Sequence, residues 1–322
     1  MGNRYLRATG RVVHRLAEIA GVAILVTVVT ALLVHVIPGG PARAILGPKA
    51  TSSEVATLTR QMGLDHPLPQ EIATYIWHAL RGNLGHSLAQ PESVTHIIGQ
   101  TLPITLSIIA SVIVLSTVLG TSLGLWAATS SMRLVRTGIS GILIGMLAMP
   151  PFFVALVLIL LLSVSLGVLP AGGWGNAWPE NFRYLVLPTL ALSAYLMPIL
   201  ARAVRQSAEV TMGEDFVEAA LSRGFSRRWV IIRHVLPNSS LPVIALIGYN
   251  AGALIGGVVV VEAVLGIPGM GLQLVTSVEA RDYPVIQGIV LCTAVLVIIA
   301  NLVTDAVNTL IDPRLRRTNL RA

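Results

Sequence analysis

A chain of 322 residues with 54% hydrophobic and only 11% charged residues is not an ordinary soluble domain, because soluble domains carry about 25% charged residues. The mean hydropathy of +0.78 indicates a membrane-embedded protein. A net charge of +7 is also typical of nucleic-acid binding, but here the basic residues lie in short clusters between apolar runs. That pattern favours membrane-topology signals and no nucleic-acid partner. The single cysteine, Cys292, excludes an internal disulfide.

Six apolar stretches are long enough to cross a bilayer, whose hydrocarbon core needs about 20 residues of helix. The first has no convincing cleavage site and is interpreted as a retained span. The fourth contains Pro188 and Pro198 and is expected to be kinked. We therefore predict an all-α integral membrane protein with a six-span helical bundle. The predicted spans are Ile19–Ile37, Leu102–Ala128, Ile139–Leu166, Tyr184–Ala201, Leu241–Val261 and Val285–Val303.

The distribution of arginines predicts the orientation of the chain. The two terminal segments, the loop near Met132 and the loop 202–234 together hold 16 of the 22 basic residues. The positive-inside rule places these segments in the cytoplasm, and an even number of spans agrees with two cytoplasmic termini. The predicted location is the bacterial cytoplasmic (inner) membrane. The 16 residues are Arg4, Arg7, Arg11, Arg15, Arg133, Arg136, Arg202, Arg205, Arg223, Arg227, Arg228, Arg233, Arg314, Arg316, Arg317 and Arg321.

Glycines four residues apart occur in three of the predicted spans. Small residues at this spacing let two membrane helices approach closely. The repeat in span five is double, which predicts a helix packed inside the bundle or against a partner subunit. The glycines are Gly120 and Gly124 in span two, Gly141 and Gly145 in span three, and Gly248, Gly252 and Gly256 in span five.

Two segments are expected on the outer side. Residues 38–100 are too long for a turn and too polar for a span, so they predict a small extracytoplasmic subdomain with an amphipathic helix around Ile72 and Ile76. Residues 262–282 predict a rigid turn followed by a short, re-entrant helix. The resulting division is 1–37 for the tail and first span, 38–100 for the subdomain, 101–311 for the core with five spans, and 312–322 for a cytoplasmic tail.

The predicted cytoplasmic loop is the most informative part of the sequence. Asp215 and Glu218 fit a capping box that starts a helix near Phe216, and Gly224 is suited to end it in a left-handed conformation. Ser226 is suited to cap a second helix, which Pro237 is expected to stop. A short helix flanked by turns suits docking into another protein, but a plain solvated connector fits these residues equally well.

The run Glu218-Ala219-Ala220, followed by Gly224 and by Leu236-Pro237, resembles the EAA loop of ABC importer permeases. Five other segments resemble the permease branch that serves dipeptide, oligopeptide and nickel importers. His234 departs from the general family pattern but fits this branch, and Asn83 stands where the branch usually has Asp. The segments are Gly63–Leu68, Gly82–Ser87, Val261–Gly271 and Arg281–Val285, with Asp312-Pro313-Arg314 at the end.

This resemblance implies a type I-like ABC importer permease that forms half of a translocation pathway for peptides. The implied partners are a second homologous permease, two ABC ATPase subunits and an extracytoplasmic solute-binding protein. ATP and Mg²⁺ would be bound by the ATPases, since the chain has no phosphate-binding GxxxxGK[ST] loop, and no cofactor or enzymatic activity is expected in this chain. The implied ATPase-coupling residues, within the loop 202–237, are Asp215, Glu218, Ala219, Ala220, Gly224 and Pro237.

Other chemistry is less well supported by the residues. No pair of the seven histidines has helical ligand spacing, so no metal site is expected. The external loop of Glu262, Pro268, Gly269 and Gly271 is a candidate site, in which Glu262 is either a functional acid at the membrane interface or a support for the turn. An ion-coupled secondary transporter would show inverted repeats and mid-membrane acids, and neither is found. The substrate stays open among dipeptides, oligopeptides, glutathione, a nickel chelate and sugars.

Overall fold

The structure, a computed structural model, describes residues 50–61 and 68–311, together with a few single positions before residue 50. Within these residues the chain is helical and contains no β-strand, apart from one isolated bridge between His86 and Ser93. The all-α prediction is confirmed. The C-terminal tail and, apart from a few single positions, the first predicted span lie outside the described residues.

The chain consists of two compact units. One unit contains residues up to Leu102 and residues Gln273–Ile298. The other contains Pro103–Leu272 and the residues from Ile299 onward. The helices are α1 Ser52–Gln61, α2 Leu68–Ala79, α3 Val94–Thr129, α4 Arg133–Leu147, α5 Pro151–Leu158, α6 Asn181–Met212, α7 Asp215–Ser222, α8 Arg227–Val230, α9 Leu236–Ser239, α10 Leu241–Tyr249, α11 Ala251–Leu265, α12 Met270–Glu279 and α13 Tyr283–Ile311. Two π-helical segments, Ile159–Ser165 and Ile231–Val235, follow α5 and α8.

Four helical runs are long and apolar enough to cross a membrane: α3, α6, the run Arg227–Tyr249 and residues Tyr283–Val307 of α13. Two bent pairs raise the count to six if each pair is one span. α6 is the central helix of its unit. In its most apolar 18-residue stretch 72% of the residues are buried, against 17–22% in the other three runs. α6 packs against α4, α5, α9, α10 and α11.

The third predicted span is not one straight helix. The chain bends by 102° between α4 and the run Pro151–Ser165. Pro150 and Pro151 explain the bend, since neither can donate a backbone hydrogen bond and the residue before a proline avoids helical geometry. Pro150 accordingly has an extended backbone, with φ −61° and ψ 142°.

The boundaries around the predicted fifth span also need correction. α6 continues through Arg202 to Met212, so the loop begins about ten residues later than expected. Pro237 does not stop the second helix, because it lies in the first turn of α9, directly after a π-helical segment, where a proline's missing N–H is tolerated. The apolar stretch 241–261 is instead interrupted at Asn250, whose side-chain amide donates to Leu246 O at 2.8 Å and whose Oδ1 accepts from the Tyr195 hydroxyl at 3.1 Å.

Only some of the glycine repeats pack within the chain. A Cβ on Gly124 would lie 2.4 Å from Ala201 O of α6, and one on Gly120 would lie 3.1 Å from Met197 O. The repeat in α3 therefore sets a close approach to α6, as predicted. A Cβ on Gly141 or Gly145 would meet nothing within 4 Å, so the single repeat in span three makes no close contact within the described chain.

The double repeat of span five is divided between two helices. Gly248 of α10 packs on Thr304, where a Cβ would lie 2.4 Å from the threonine side chain. Gly252 and Gly256 of α11 are exposed, and a Cβ on Gly256 would meet nothing within 4 Å. Only Gly248 of the three packs inside the described chain, which leaves the other two on an open helix face.

The unit that contains the N-terminal residues includes the predicted amphipathic helix, observed as α2. Gly82 and Gly85 form turns with positive φ angles of 78° and 90°, as expected for glycines between helices. Ahead of α2, Glu54 accepts hydrogen bonds from the backbone N–H and the hydroxyl of Thr51, both at 2.8 Å. These bonds hold the pKa of Glu54 below its ordinary value.

The packing of α3 on α6 can be tested with matched glycine variants. We expect Gly124→Leu to lower the stability of the folded chain by about 1–3 kcal/mol, because the side chain has to displace backbone atoms of α6. Gly141→Leu adds the same side chain where no atom lies within 4 Å and is expected to leave stability unchanged. Thermal unfolding in detergent measures both, and equal stability of the two variants would contradict the packing.

Candidate functional site

The helix that carries the EAA-like motif, α7, follows α6 after a two-residue turn. Its N-cap is Glu214, which is extended and makes no side-chain cap hydrogen bond. Asp215 is therefore the first helical residue rather than the cap, and the predicted capping box is absent. Both Asp215 and Glu218 still lie in the first turn, where acidic side chains interact favourably with the helix dipole. Within the described residues the Glu218 carboxyl makes no hydrogen bond or ion pair, and it is exposed.

The predicted end of α7 is confirmed. Gly224 has a φ of +87°, and the N–H of Phe225 donates to Ala220 O at 3.3 Å across the turn. Ser226 then caps α8, because its side chain accepts a hydrogen bond from the N–H of Trp229 at 3.3 Å. The two helices are thus joined by a tight left-handed turn that favours glycine.

One face of α7 is part of a buried cluster. Val217 and Ala220 pack with Ala208 of α6, with Val230 and with Val235. Leu125 and Ala128 of α3 and Met212 lie at the edge of this cluster. Ala220 is therefore an internal packing residue, whereas Ala219 is exposed. Of the two alanines expected to give close approach to another protein, only Ala219 is available.

The opposite face of this region exposes large apolar side chains, which we call the docking surface: Phe216, Leu221, Phe225, Trp229 and Ile232, each 41–54% exposed. Phe225 stacks on Trp229 with ring centroids 4.3 Å apart, and Trp229 contacts the His234 ring edge-on at 5.2 Å. Exposed apolar patches are typical of surfaces that contact other proteins or the membrane. Sequence reasoning missed these residues, although aromatic residues inside an arginine-rich loop were a visible signal.

The region that carries the docking surface is hydrogen-bonded to α3. Arg227 donates to Thr129 O at the C-terminal end of α3, at 3.2 Å. Pro237 is exposed and lies in the same continuous helical run as Trp229 and Ile232. The observed structure therefore brings Glu218, Ala219 and Gly224 to one exposed region, and places Ala220 underneath it.

A second candidate site surrounds Glu262, the buried carboxyl group at the end of α11. Glu262 has no exposed surface. Its Oε1 accepts from the Thr105 hydroxyl at 2.7 Å, and its Oε2 accepts from the N–H of Gly271 at 2.6 Å. Thr105 in turn accepts from the N–H of Met270 at 2.9 Å. The N–H groups of Met270 and Gly271 lie in the first turn of α12, where a helix offers them no backbone acceptor. The side chains of Thr105 on α3 and Glu262 on α11 accept these two hydrogen bonds instead.

Two glycines of this loop are required because a Cβ atom at either position would clash with neighbouring atoms. A Cβ on Gly269 would lie 2.3 Å from the Glu262 carboxyl group, and one on Gly271 would lie 2.4 Å from Val259 Cα. Gly266 ends α11 in the left-handed conformation, with φ 59° and ψ 31°. Pro268 is exposed between these glycines. The chain bends by 71° between α11 and α12, so the expected turn and short helix are confirmed.

Two of the family-like segments meet at Asp282. This residue is 2% exposed and accepts hydrogen bonds from the Ser87 hydroxyl, from the N–H of Leu88 at 3.1 Å and from the N–H of Ala89 at 3.3 Å. The loop that carries Ser87 is closed by a hydrogen bond from Val94 N–H to Gly85 O at 3.0 Å. Asp282, which directly precedes α13, therefore holds this loop in place.

The Glu262 site can be tested on α3. Thr105→Val removes both the donor to Glu262 and the acceptor for Met270, and is expected to cost about 2 kcal/mol, because each unsatisfied buried group costs about 1–3 kcal/mol. Thr101→Val is the matched control, since Thr101 is buried but bonds only to carbonyl oxygens of its own helix. Urea unfolding measures the difference, and equal losses for the two variants would contradict the assigned contacts.

The loop at Asp282 can be tested by hydrogen exchange. Asp282→Ala leaves the N–H of Leu88 without its acceptor, so exchange at this amide is expected to rise by about tenfold or more. Ala89 N–H keeps a second acceptor, the Ser87 hydroxyl at 3.2 Å, and is expected to change less. Glu92→Gln changes an exposed carboxyl whose only ion pair in the described chain is a 4.0 Å contact with His96, and serves as the control. Unchanged exchange in Asp282→Ala would show that the loop is held by other contacts.

Comparison with known proteins agrees with this architecture. Residues 120–317 match the family described as binding-protein-dependent transport system inner membrane component, and residues 10–109 match the N-terminal family of the same transport systems. The chain is 35% identical over 95% of its length to a peptide permease protein of Brucella suis biovar 1 (strain 1330), covering 98% of that protein. It is equally similar, with the same coverage, to the glutathione transport system permease protein GsiC of Salmonella paratyphi A.

A solved structure of the MetNI methionine ABC transporter, in an inward-facing conformation, has a similar fold. Its TM-score is 0.55 at 16% identity, over 67% of this chain and 96% of the other. Together with the apolar helices, these matches establish a multi-pass membrane protein of the peptide and glutathione permease branch. The chain belongs to the family of inner-membrane permease components of binding-protein-dependent ABC importers.

Proposed function

We propose that this permease forms half of the translocation pathway of an importer for short peptides, including peptide-like thiols such as glutathione. The support is the identity of 35% over nearly the whole chain with relatives named for peptide and glutathione transport. A second, homologous permease completes the pathway, and an extracytoplasmic solute-binding protein delivers the substrate. A nickel chelate is the alternative substrate within the same branch.

In this proposal α7 and the docking surface bind a cytoplasmic ABC ATPase. The exposed aromatic and aliphatic side chains supply apolar area, and Glu218 supplies a carboxyl group that no residue of the described chain satisfies. Two such ATPases bind ATP and Mg²⁺, and the permease transmits their movement. Val217 and Ala220 anchor α7 to α3 and α6, so that a force applied to the docking surface reaches the membrane helices.

Binding of the ATPase by α7 also predicts how the chain is oriented in the membrane. The end of α3 near α7 is cytoplasmic, in agreement with the arginine clusters in the loop 202–234 and at both termini. Thr105 precedes Ala128 by 23 residues, or about 35 Å along α3, which is close to the thickness of a bilayer core of about 30 Å. The Glu262 site then lies near the outer surface, where Glu262, Pro268, Gly269 and Gly271 hold α12 beside the entrance of the pathway.

The remaining parts take roles that follow from this orientation. Residues 38–100 form an outer subdomain that seats the solute-binding protein, supported by the contact between its 87–89 loop and Asp282. Residues 101–311 form the core, and residues 1–37 and 312–322 provide the first span with its cytoplasmic tail and the C-terminal tail. Gly252 and Gly256, exposed on α11, face the second permease.

The coupling role can be tested at Gly224. A Cβ there would meet nothing within 4 Å, so Gly224→Val acts through the backbone, at a cost of about 1 kcal/mol or more for a positive φ. We expect a folded permease whose complex loses most of its substrate-stimulated ATP hydrolysis. Gly213→Val is the matched control, because Gly213 lies just before α7 with a φ of −88°. Full transport and full ATPase binding in Gly224→Val would refute the coupling assignment.

The carboxyl group of Glu218 provides a separate test. Since Glu218 makes no hydrogen bond or ion pair within the described chain, Glu218→Gln is expected to lower stability only by the lost interaction with the helix dipole, about 0.3–1 kcal/mol. Loss of an ion pair with the ATPase would weaken ATPase pull-down by about five- to tenfold, equivalent to about 1–1.4 kcal/mol. Asp215→Asn, one turn away and also exposed, is the control for loss of charge alone. Equal ATPase binding by wild type and Glu218→Gln would exclude the ion pair.

The substrate is tested with the reconstituted importer and its binding protein. We expect uptake of labelled di- and tripeptides, with competition by glutathione, that depends on ATP. Uptake of a nickel chelate without competition by any peptide would favour the alternative substrate. Transport that continues without any ATPase would refute the ABC importer function as a whole.

A further inference from the structure

A cavity of about 210 Å³ opens between α3, α4 and α6, near the end of these helices that carries α7. Its floor is made of small residues, Gly124, Ala127 and Ala201, and its wall contains Leu143 and Ile144 of α4. Ile144 is 58% exposed, so the apolar wall continues onto the outer face of the helix. Arg202 and Arg205 of α6 also line the cavity.

The two arginines differ in how they are held. Arg205 donates to Ser140 Oγ at 2.6 Å and to Glu209 at 2.9 Å, which fixes its guanidinium between α4 and α6. Arg202 is exposed and has no hydrogen bond or ion pair in the part of the chain that the structure describes. Arg136 lies one turn before Ser140 on α4 and is also exposed. Of the two arginines that line the cavity, Glu209 pairs only with Arg205, so the cavity keeps the positive charge of Arg202.

The apolar wall and the two arginines together determine which class of ligand fits the cavity. A small soluble anion would use the arginines but not the apolar wall, whereas a neutral acyl chain would use the wall but not the arginines. An anionic phospholipid uses both, and it is present wherever this membrane protein is inserted. Basic pockets between membrane helices are a recognised arrangement for anionic headgroups. The cavity is smaller than a typical ligand pocket of about 300–1,000 Å³, so it accommodates only the headgroup region of a lipid, with the acyl chains along the exposed face of α4.

We propose that the cavity between α3, α4 and α6 binds the headgroup of an anionic phospholipid, with Arg202 and Arg205 as its phosphate ligands. Ser140 is a positioning residue, because it holds Arg205 at the cavity mouth. The bound lipid connects α4 to α6 at the end of the bundle that carries the docking surface.

The test uses the complete importer complex, reconstituted in nanodiscs that contain phosphatidylcholine and phosphatidylglycerol. After transfer to detergent, mass spectrometry measures the enrichment of phosphatidylglycerol over phosphatidylcholine in the purified complex. Each basic residue near a membrane surface contributes about 1 kcal/mol. Arg202→Gln is therefore expected to reduce the enrichment about fivefold, and Arg202→Gln with Arg205→Gln by about 25-fold.

Arg183→Gln is the matched control, since Arg183 is exposed at the start of α6 and donates to Val168 O at 3.0 Å, away from the cavity. Because Arg202 has no partner in the described chain, Arg202→Gln is expected to unfold at the same temperature as the wild type. If the double variant does not fold, the lipid enrichment of this single variant is sufficient to test the site. A loss of enrichment in Arg202→Gln but not in Arg183→Gln supports the site.

Three results would overturn the proposal. Equal enrichment in Arg202→Gln and wild type would show that the arginine binds no headgroup. Displacement of the lipid by millimolar glycerol 3-phosphate would show a site for a soluble phosphate ester instead. Lipid that binds the isolated permease but is absent from the complete complex would show that the cavity is an interface between subunits.

Discussion

The close approach of α3 to α6 at Gly120 and Gly124 is the constraint on which the rest of the permease core depends. In lipid there is no hydrophobic drive between helices, so their association relies on close packing over small residues. The two glycines put the backbone of α3 directly against Met197 and Ala201 of α6. α6 is the most buried of the candidate spans and contacts α4, α5, α9, α10 and α11. A change in this contact therefore moves the helix around which the others pack.

α3 also connects the two candidate functional regions. Leu125 and Ala128, near its C-terminal end, pack against the cluster that anchors α7. Thr105, about 35 Å earlier along the helix, bonds to Glu262 and to the N-terminus of α12. A continuous helix with satisfied backbone hydrogen bonds transmits a displacement from one end to the other with little loss. In the proposed mechanism, movement imposed on α7 by the ATPase reaches the Glu262 site by this route.

The docking region divides its residues between anchoring and recognition. Val217 and Ala220 face the core, while Phe216, Leu221, Glu218 and Ala219 on the same short helix face outward. An eight-residue helix has little stability of its own, so its position depends on the buried face and on the turns at Gly224 and Ser226. A helix fixed in this manner presents its outer side chains at a low entropic cost when a partner binds.

The sequence by itself determined the features that depend on neighbouring residues. The apolar helices, the left-handed turn at Gly224, the Ser226 cap and the Gly266-Ile267-Pro268-Gly269 turn after Glu262 follow from local hydrophobicity and backbone geometry. The family-like pattern around Glu218 is likewise visible in the sequence alone. Only the tertiary structure decided which faces and partners these features use. The bonds of Glu262 to Thr105 and of Asp282 to Ser87 cross more than 150 residues of sequence, and no local pattern specifies them. Likewise, identical GxxxG spacings pack against α6 at Gly120 and Gly124 but meet nothing at Gly141 and Gly145. The spacing of residues in the sequence determines which of them share one face of a helix. The position of the neighbouring helix determines whether that face is buried.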